Sequence, residues 1–139
     1  MTVFNKFYAF GGDVGNGVHH FNADTFKVML SEVAPVATNT VKANISEIAA
    51  GNGYVAGGQA AALVSWSQVN GLWKLVIGQP LFTASGGTIA QFRYAVLYNS
   101  STASGNLIGW IDYGAEVNVT NGNSFLVGFD QTNGVLTLQ

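Results

Sequence analysis

The stretch Phe92–Tyr113 constrains the fold more than any other. It reads FRYAVLYN, then SSTASGN, then LIGWIDY. In the first run Phe92, Tyr94, Val96 and Tyr98 alternate with Arg93, Ala95 and Leu97. A strand turns successive side chains to opposite faces, so this is a strand pattern. The second run is rich in β-branched and aromatic residues, which strands favour. The linker Asn99–Asn106 is small and polar with one glycine, which suits an exposed hairpin loop. With Tyr98 opposite Leu107, an antiparallel ladder sets Leu97 against Ile108, Tyr94 against Ile111 and Phe92 against Tyr113. The only arginine of the chain, Arg93, then lands opposite Asp112. Opposite charges across a ladder stabilise it, so this register is the expected one. The face carrying Phe92, Tyr94, Ile111 and Tyr113 needs a second layer over it, and the rest of the chain must supply that layer.

Other segments repeat the pattern. Thr2–Phe10 reads as a first strand, followed by a glycine-rich turn or loop, Gly11–Gly17. Asp24–Leu30 is a second strand and Ala34–Thr40 a loop. Asn44-Ile45-Ser46-Glu47 has the form of a capping box, with Gly51 as a left-handed end, and predicts a turn or two of helix. Gly51–Gly58 reads as a flexible loop around Tyr54. Gln59–Val69 reads as one long strand. Asn70-Gly71 joins it to Leu72–Ile77, and an Asn-Gly pair between β runs is the strongest short hairpin signal. Leu81–Thr83, Val117–Val119, Ser124–Phe129 and Val135–Leu138 complete the set, punctuated by Asn121-Gly122 and Thr132-Asn133-Gly134. Eight to ten short strands with hardly any helix predict one all-β domain over residues 1–139. Its expected form is an antiparallel β-sandwich, jelly-roll-like, with at most one short helix. An immunoglobulin-like or small barrel arrangement is the second choice.

Composition enters where surface and partners are concerned. The 139 residues suffice for one domain with a full core. Charged residues make up 9% and hydrophobic ones 48%, against about 25% charged in an average domain. Such a chain is expected to bury apolar surface against other subunits. The net charge is −2, and the five Lys and Arg are scattered singly. No basic stripe tracks a phosphate backbone, which argues against nucleic acid and against anionic membranes. No segment approaches the roughly 20 apolar residues of a spanning helix. The opening MTVFNKFYAF lacks a signal-peptide pattern, so synthesis in a cytoplasm is expected. Cysteine is absent, which removes disulfides and thiolate metal sites.

The chain offers little chemistry. The loop GGDVGNG fits neither the P-loop nor the dinucleotide fingerprint. His19 and His20 are the only histidines. Neighbours on a strand point apart, and no Cys or carboxylate nearby completes a ligand set. No serine sits in a nucleophile-elbow context near them. Asp112, Glu116 and Asp130 are the carboxylates a glycosidase would need in pairs, but Asp112 is expected to be held ionised by Arg93. Trp66, Trp73 and Trp110 raise a sugar-binding platform as an alternative to core packing. Trp110 is expected opposite Ala95. Asn-x-Ser/Thr sites at Asn44, Asn99 and Asn118 are expected by chance in a chain this rich in Asn, Ser and Thr. No catalytic residue, cofactor or metal is expected, and the chain is not expected to be an enzyme.

Three stretches carry a family likeness: TVFNKFYAF at the start, APVATNTVKANISEIAAGNGY over Ala34–Tyr54, and FRYAVLYNSS with LIGWIDYG around the hairpin. They resemble small virion structural proteins of tailed bacteriophages, among them the cement or decoration proteins outside icosahedral capsids. The resemblance runs over most of the chain and carries over no functional residue. It implies a sandwich that self-associates, binds the major capsid protein on the capsid exterior and bridges capsomers. It would be made in the host cytoplasm and end in the virion. A homodimer is expected ahead of a trimer, since two identical grips suit two neighbouring capsomers. Thr2–Phe10 is the candidate contact, as an apolar end strand left unpaired, with an ordinary core strand as the equal alternative for that segment. A tail or fibre component, or a carbohydrate-binding module, is the alternative.

Overall fold

The computed structural model describes residues 3–139. It is built from ten strands: β1 (Phe4–Lys6), β2 (Phe26–Ser31), β3 (Gln59–Ala61), β4 (Leu63–Val69), β5 (Leu72–Ile77), β6 (Leu81–Thr83), β7 (Ile89–Asn99), β8 (Leu107–Val119), β9 (Ser124–Leu126) and β10 (Leu136–Leu138). They form an antiparallel five-stranded sheet in the order β1-β8-β7-β2-β3. A three-stranded sheet, β10-β5-β4, and a two-stranded ladder, β6-β9, complete the molecule. The all-β antiparallel sandwich anticipated from the strand patterns is what forms. The pairings β1 with β8, β2 with β7 and β4 with β5 are nested, as a jelly-roll-like chain would have them. Here, however, β7 also pairs with β8 inside one sheet, so the layers are five strands against three and two.

The five-stranded sheet is apolar on both faces, and the period of two explains how. Val28 and Leu30 of β2 point one way with Ala95 and Leu97 of β7. They meet Leu75 and Ile77 of β5, Phe82 of β6 and Leu136 of β10 in the main core. Met29 of β2 and Val96 and Tyr98 of β7 point the other way, into a second cluster with Phe7 and Leu107. Ile45 and Trp110 pack on that cluster. The connection 40–48 runs along this side. Its Thr40 carbonyl accepts from the Leu107 amide, and its Ile48 amide donates to the Leu30 carbonyl.

The hairpin register holds at the turn and slips beyond it. Tyr98 faces Leu107, as expected, but Leu97 faces Gly109, Ala95 faces Ile111 and Tyr94 faces Asp112. Ile108 is the extra residue of a bulge, so Trp110 meets Val96 rather than Ala95. A second irregularity sets Phe92 against Val117. The slip turns Tyr94 away from Phe92 and seats Phe92, Ala95, Leu97 and Ile111 together in the core. Each large side chain so buried contributes roughly 1.5–3 kcal/mol. That outweighs an ideal rung between two half-exposed charges. The charges still meet: Arg93 donates to Asp112 through Nε at 2.8 Å and through Nη2 at 3.2 Å. The layer over Phe92 comes from β9, whose Phe125 stands edge-on to Phe92 and to Tyr113.

Four further expectations are corrected. The first strand spans only Phe4–Lys6, and Thr2 lies outside the described residues. Ala9–Gly15 is then an α-helix, α1, rather than strand and loop. Its three glycines each disfavour a helix by about 1 kcal/mol, so packing of Phe10 in the core must hold it. Asn44 does not open a helix. It closes a single 3-10 turn, Lys42–Asn44, and its Oδ1 accepts from the Thr40 and Val41 amides. Glu47 turns instead to the Gly51–Gly58 loop, which is anchored rather than flexible. Its carboxylate accepts from the Tyr54 hydroxyl at 2.5 Å and the Gly57 amide at 2.6 Å. Tyr54 is buried, and its oxygen also accepts from the Leu30 amide. Finally, Gln59–Val69 is two strands. The chain breaks at Ala62 and passes from the large sheet into the small one.

Candidate functional site

Among the described residues a cluster of buried polar side chains sits where β7 ends. Among the described residues the buried polar or charged ones are His19, Ser31 and Asn99. Asn99 was expected in an exposed loop, but it is the hub of the cluster. Its amide nitrogen bonds His19 Nδ1 at 3.0 Å and Asp24 Oδ2 at 2.6 Å, and its Oδ1 accepts from the Ser101 amide. Because Nδ1 accepts, the ring proton of neutral His19 belongs on Nε2. Nε2 is buried, has no hydrogen-bond partner and lies 4.0 Å from Asp13 Oδ2. Burial holds the His19 pKa below the ordinary histidine value, against the opposing pull of Asp13 and Asp24. Burial also acts on Asp24, but hydrogen bonds from Asn99 and the His20 amide prevail and hold its pKa below the usual range.

This arrangement ties the end of β7 to His19 and Asp24 ahead of β2. The His19 side chain is wholly buried, stacked on Phe21 and tilted against Phe10. Neither ring nitrogen reaches a hydroxyl. His20, beside it, is mostly exposed, and neither histidine lies in a strand. Among the described residues no three His or carboxylate side chains converge as a metal ion requires. The signal that pointed to Asn99 was its place at the end of a strand before Ser-Ser, where an Asx side chain turns the backbone. The sequence reading of Asn99 as the start of an exposed linker and as a chance Asn-x-Ser/Thr site does not hold for a side chain that is fully buried.

The other singled-out residues are dispersed. Asp112 is held by Arg93 and by the Gly114 amide, which keep its carboxyl below the usual range. Asp130 caps its own turn, accepting from the Thr132 and Asn133 amides. Glu116 lies on an exposed stretch of β8. The tryptophans divide. Trp110 packs on Phe7 with ring centres 4.6 Å apart. Trp66 lies between Phe21 and Trp73, at 4.9 and 5.1 Å. Trp73 ends this aromatic row and is 40% exposed. Burial pushes the Tyr113 hydroxyl up to about 12, with no hydrogen-bond partner. A shallow pocket of about 510 Å³ lies behind β2, lined by Met29, Val41, Lys42, Ile45, Glu47 and Ser104 among others. Its charges are already engaged, Lys42 over the Tyr98 ring and Glu47 with Tyr54.

What remains is surface. Tyr8 is 76% exposed, and its amide donates to the Ala37 carbonyl, beside exposed Val36. Val33 is exposed in the same connection. A second apolar group comprises Leu63, Val64 and Val69 on β4. Leu81 and Leu126 form a third, facing each other across β6 and β9. No protein-family model matches the chain, and no curated protein or solved structure matches it either.

Proposed function

We propose that the chain is a structural protein of a tailed-phage virion, lying outside the capsid and stabilising it by bridging capsomers. The observation that carries this reading is the exposed apolar patch of Tyr8 and Val36. Both residues fall in the stretches that resemble phage virion proteins, and the chain around them is poor in charge. An uncharged patch of this kind suits many weak contacts with a regular shell better than capture of a small ligand. The expected contact is revised by the fold. Thr2–Phe10 is not a free strand, because Phe4–Lys6 pairs with β8 and Phe7 and Phe10 are buried. Deleting it would damage the core, so the contact is assigned to Tyr8 and Val36, with the major capsid protein as partner.

Copy counting by mass spectrometry and electron microscopy of purified particles tests the proposal. Many regularly spaced copies over the shell are expected. A variant carrying Tyr8→Glu and Val36→Glu should fold, because both side chains are exposed, yet be missing from the shell. A few copies confined to the tail would move the protein there instead. One observation favours a second reading, a carbohydrate-binding module: exposed Trp73 stacks on Trp66. Glycan binding that is lost in Trp73→Ala would support it.

A further inference from the structure

Strand β4 is one of the two edges of the three-stranded sheet. Its ladder partner is β5, and no other backbone hydrogen bond among the described residues involves residues 63–69. Unpaired edges are templates for another chain, and proteins blunt them with charge, proline or shortness. The other edge strands, β1, β3, β10, β6 and β9, have three residues each. β4 has seven, LVSWSQV, with no charge, proline or glycine. It is thus the one long edge without protection.

The sequence of that edge reads nearly the same in both directions. Laid antiparallel on a second copy with Trp66 at the centre, Ser65 faces the partner's Ser67 and Leu63 faces the partner's Val69. Val64 faces the partner's Gln68, and Trp66 meets the partner's Trp66. The backbone agrees with this centre. The turn at Asn70-Gly71 closes on the pair Val69 and Leu72. In a two-residue hairpin that closing pair exchanges hydrogen bonds, and bonding alternates along the ladder from there. Ser67 therefore bonds towards β5, whereas Gln68 and Trp66 turn their N–H and C=O outward. A rung placed on Trp66 is then a bonded rung, one of the two kinds of facing pair through which a two-fold axis can pass. The register break of β4 lies between Leu63 and Ser65, so Ser65–Val69 keeps an unbroken ladder with β5. Sliding the copies by two residues leaves Leu63 or Val69 without a partner on β4, so the Trp66-centred register alone pairs all seven.

We propose that β4 is a self-pairing edge. Two copies of this chain join through antiparallel β4 strands about a two-fold axis at Trp66, making one six-stranded sheet. Most rungs match in chemistry, serine with serine, Leu63 with Val69 and Trp66 with Trp66; Val64 meets Gln68, and no like charges are opposed. Exposed Leu63, Val64 and Val69 gain cover in the same step. The inference rests on strand geometry and stands apart from the capsid reading.

Sedimentation of the purified full chain tests it. A dimer is expected. The variant with Ser65→Lys and Ser67→Lys sets lysine opposite lysine at two rungs, and should raise the dimer dissociation constant by about tenfold or more. The variant with Ser65→Lys and Ser67→Glu sets opposite charges at the same rungs and should restore the dimer. Equal circular dichroism and melting in dilute monomer would show that both variants fold. A wild-type chain that stays monomeric at high concentration, or a trimer, overturns the proposal. So does a dimer that neither variant perturbs. Failure of shell binding with the dimer intact would count against the capsid reading alone.

Discussion

Asn99 and His19 are the residues on which a pH effect should turn. His19 is buried as the neutral ring, with Nδ1 accepting from Asn99. Burial holds its pKa below the unfolded value of about 6.5. The folded state therefore binds this proton less readily than the unfolded state. Its contribution to stability is complete above about pH 6.5 and is lost as pH falls through that value towards the lower folded one. Protonation would also set a donor on Nδ1 against the Asn99 amide. The groups facing the ring, Asp13 and Asp24, moderate the loss, and His20 adds to it. Thermal melting between pH 7.5 and 5.5 should show a falling midpoint. His19→Gln, which keeps an acceptor for Asn99, should flatten the fall. Parallel curves for the two proteins would assign the pH effect elsewhere.

Among the elements, two glycines separate turn geometry from packing. Asn70 and Gly71 have φ of 53° and 84°, the pair of positive angles a two-residue hairpin turn demands. A Cβ on Gly71 would meet nothing within 4 Å. Gly71→Val should therefore destabilise only through its backbone, by roughly 1–2 kcal/mol. Gly58 also has positive φ, but a Cβ there would run into the Val28 carbonyl oxygen of β2. Gly58→Ala should cost more than Gly71→Val despite the smaller side chain, because backbone must move. Denaturant unfolding of the two variants checks the order. From sequence, Gly71 was legible because its signal is local. Gly58 was one glycine in a loop read as flexible, since its constraint comes from a strand 30 residues earlier in the chain.

For the whole molecule, the prediction concerns assembled particles. A clamp that binds the intact shell and not its separated parts stabilises the shell by mass action. Particles lacking this protein should release DNA at a lower temperature and break more readily under osmotic shock than complete ones. Adding back purified wild-type chain should restore them, and adding the Tyr8→Glu, Val36→Glu variant should not. If particles without the protein tolerate heat and shock as well as complete ones, the cement reading fails and a tail location gains.

The sequence alone determined the class of fold. Alternation, Asn-Gly and Thr-Asn-Gly turns and the scarcity of helix are local signals, and they yield antiparallel strands wherever the chain collapses. It also placed Arg93 near Asp112, because a hairpin limits what its two strands can reach. Tertiary structure decided the rest. The bulge at Ile108 follows from seating Ala95 and Leu97 in a core made with distant β5, which no local pattern specifies. The glycine-rich α1 exists because the core takes Phe10, against its own propensity. Asn99, His19 and Asp24 meet across 75 and more residues of chain, and Tyr54 is held by Glu47 only once the sheet is formed. Burial and long-range hydrogen bonds depend on which segments become neighbours, and a linear pattern of period two is silent about that.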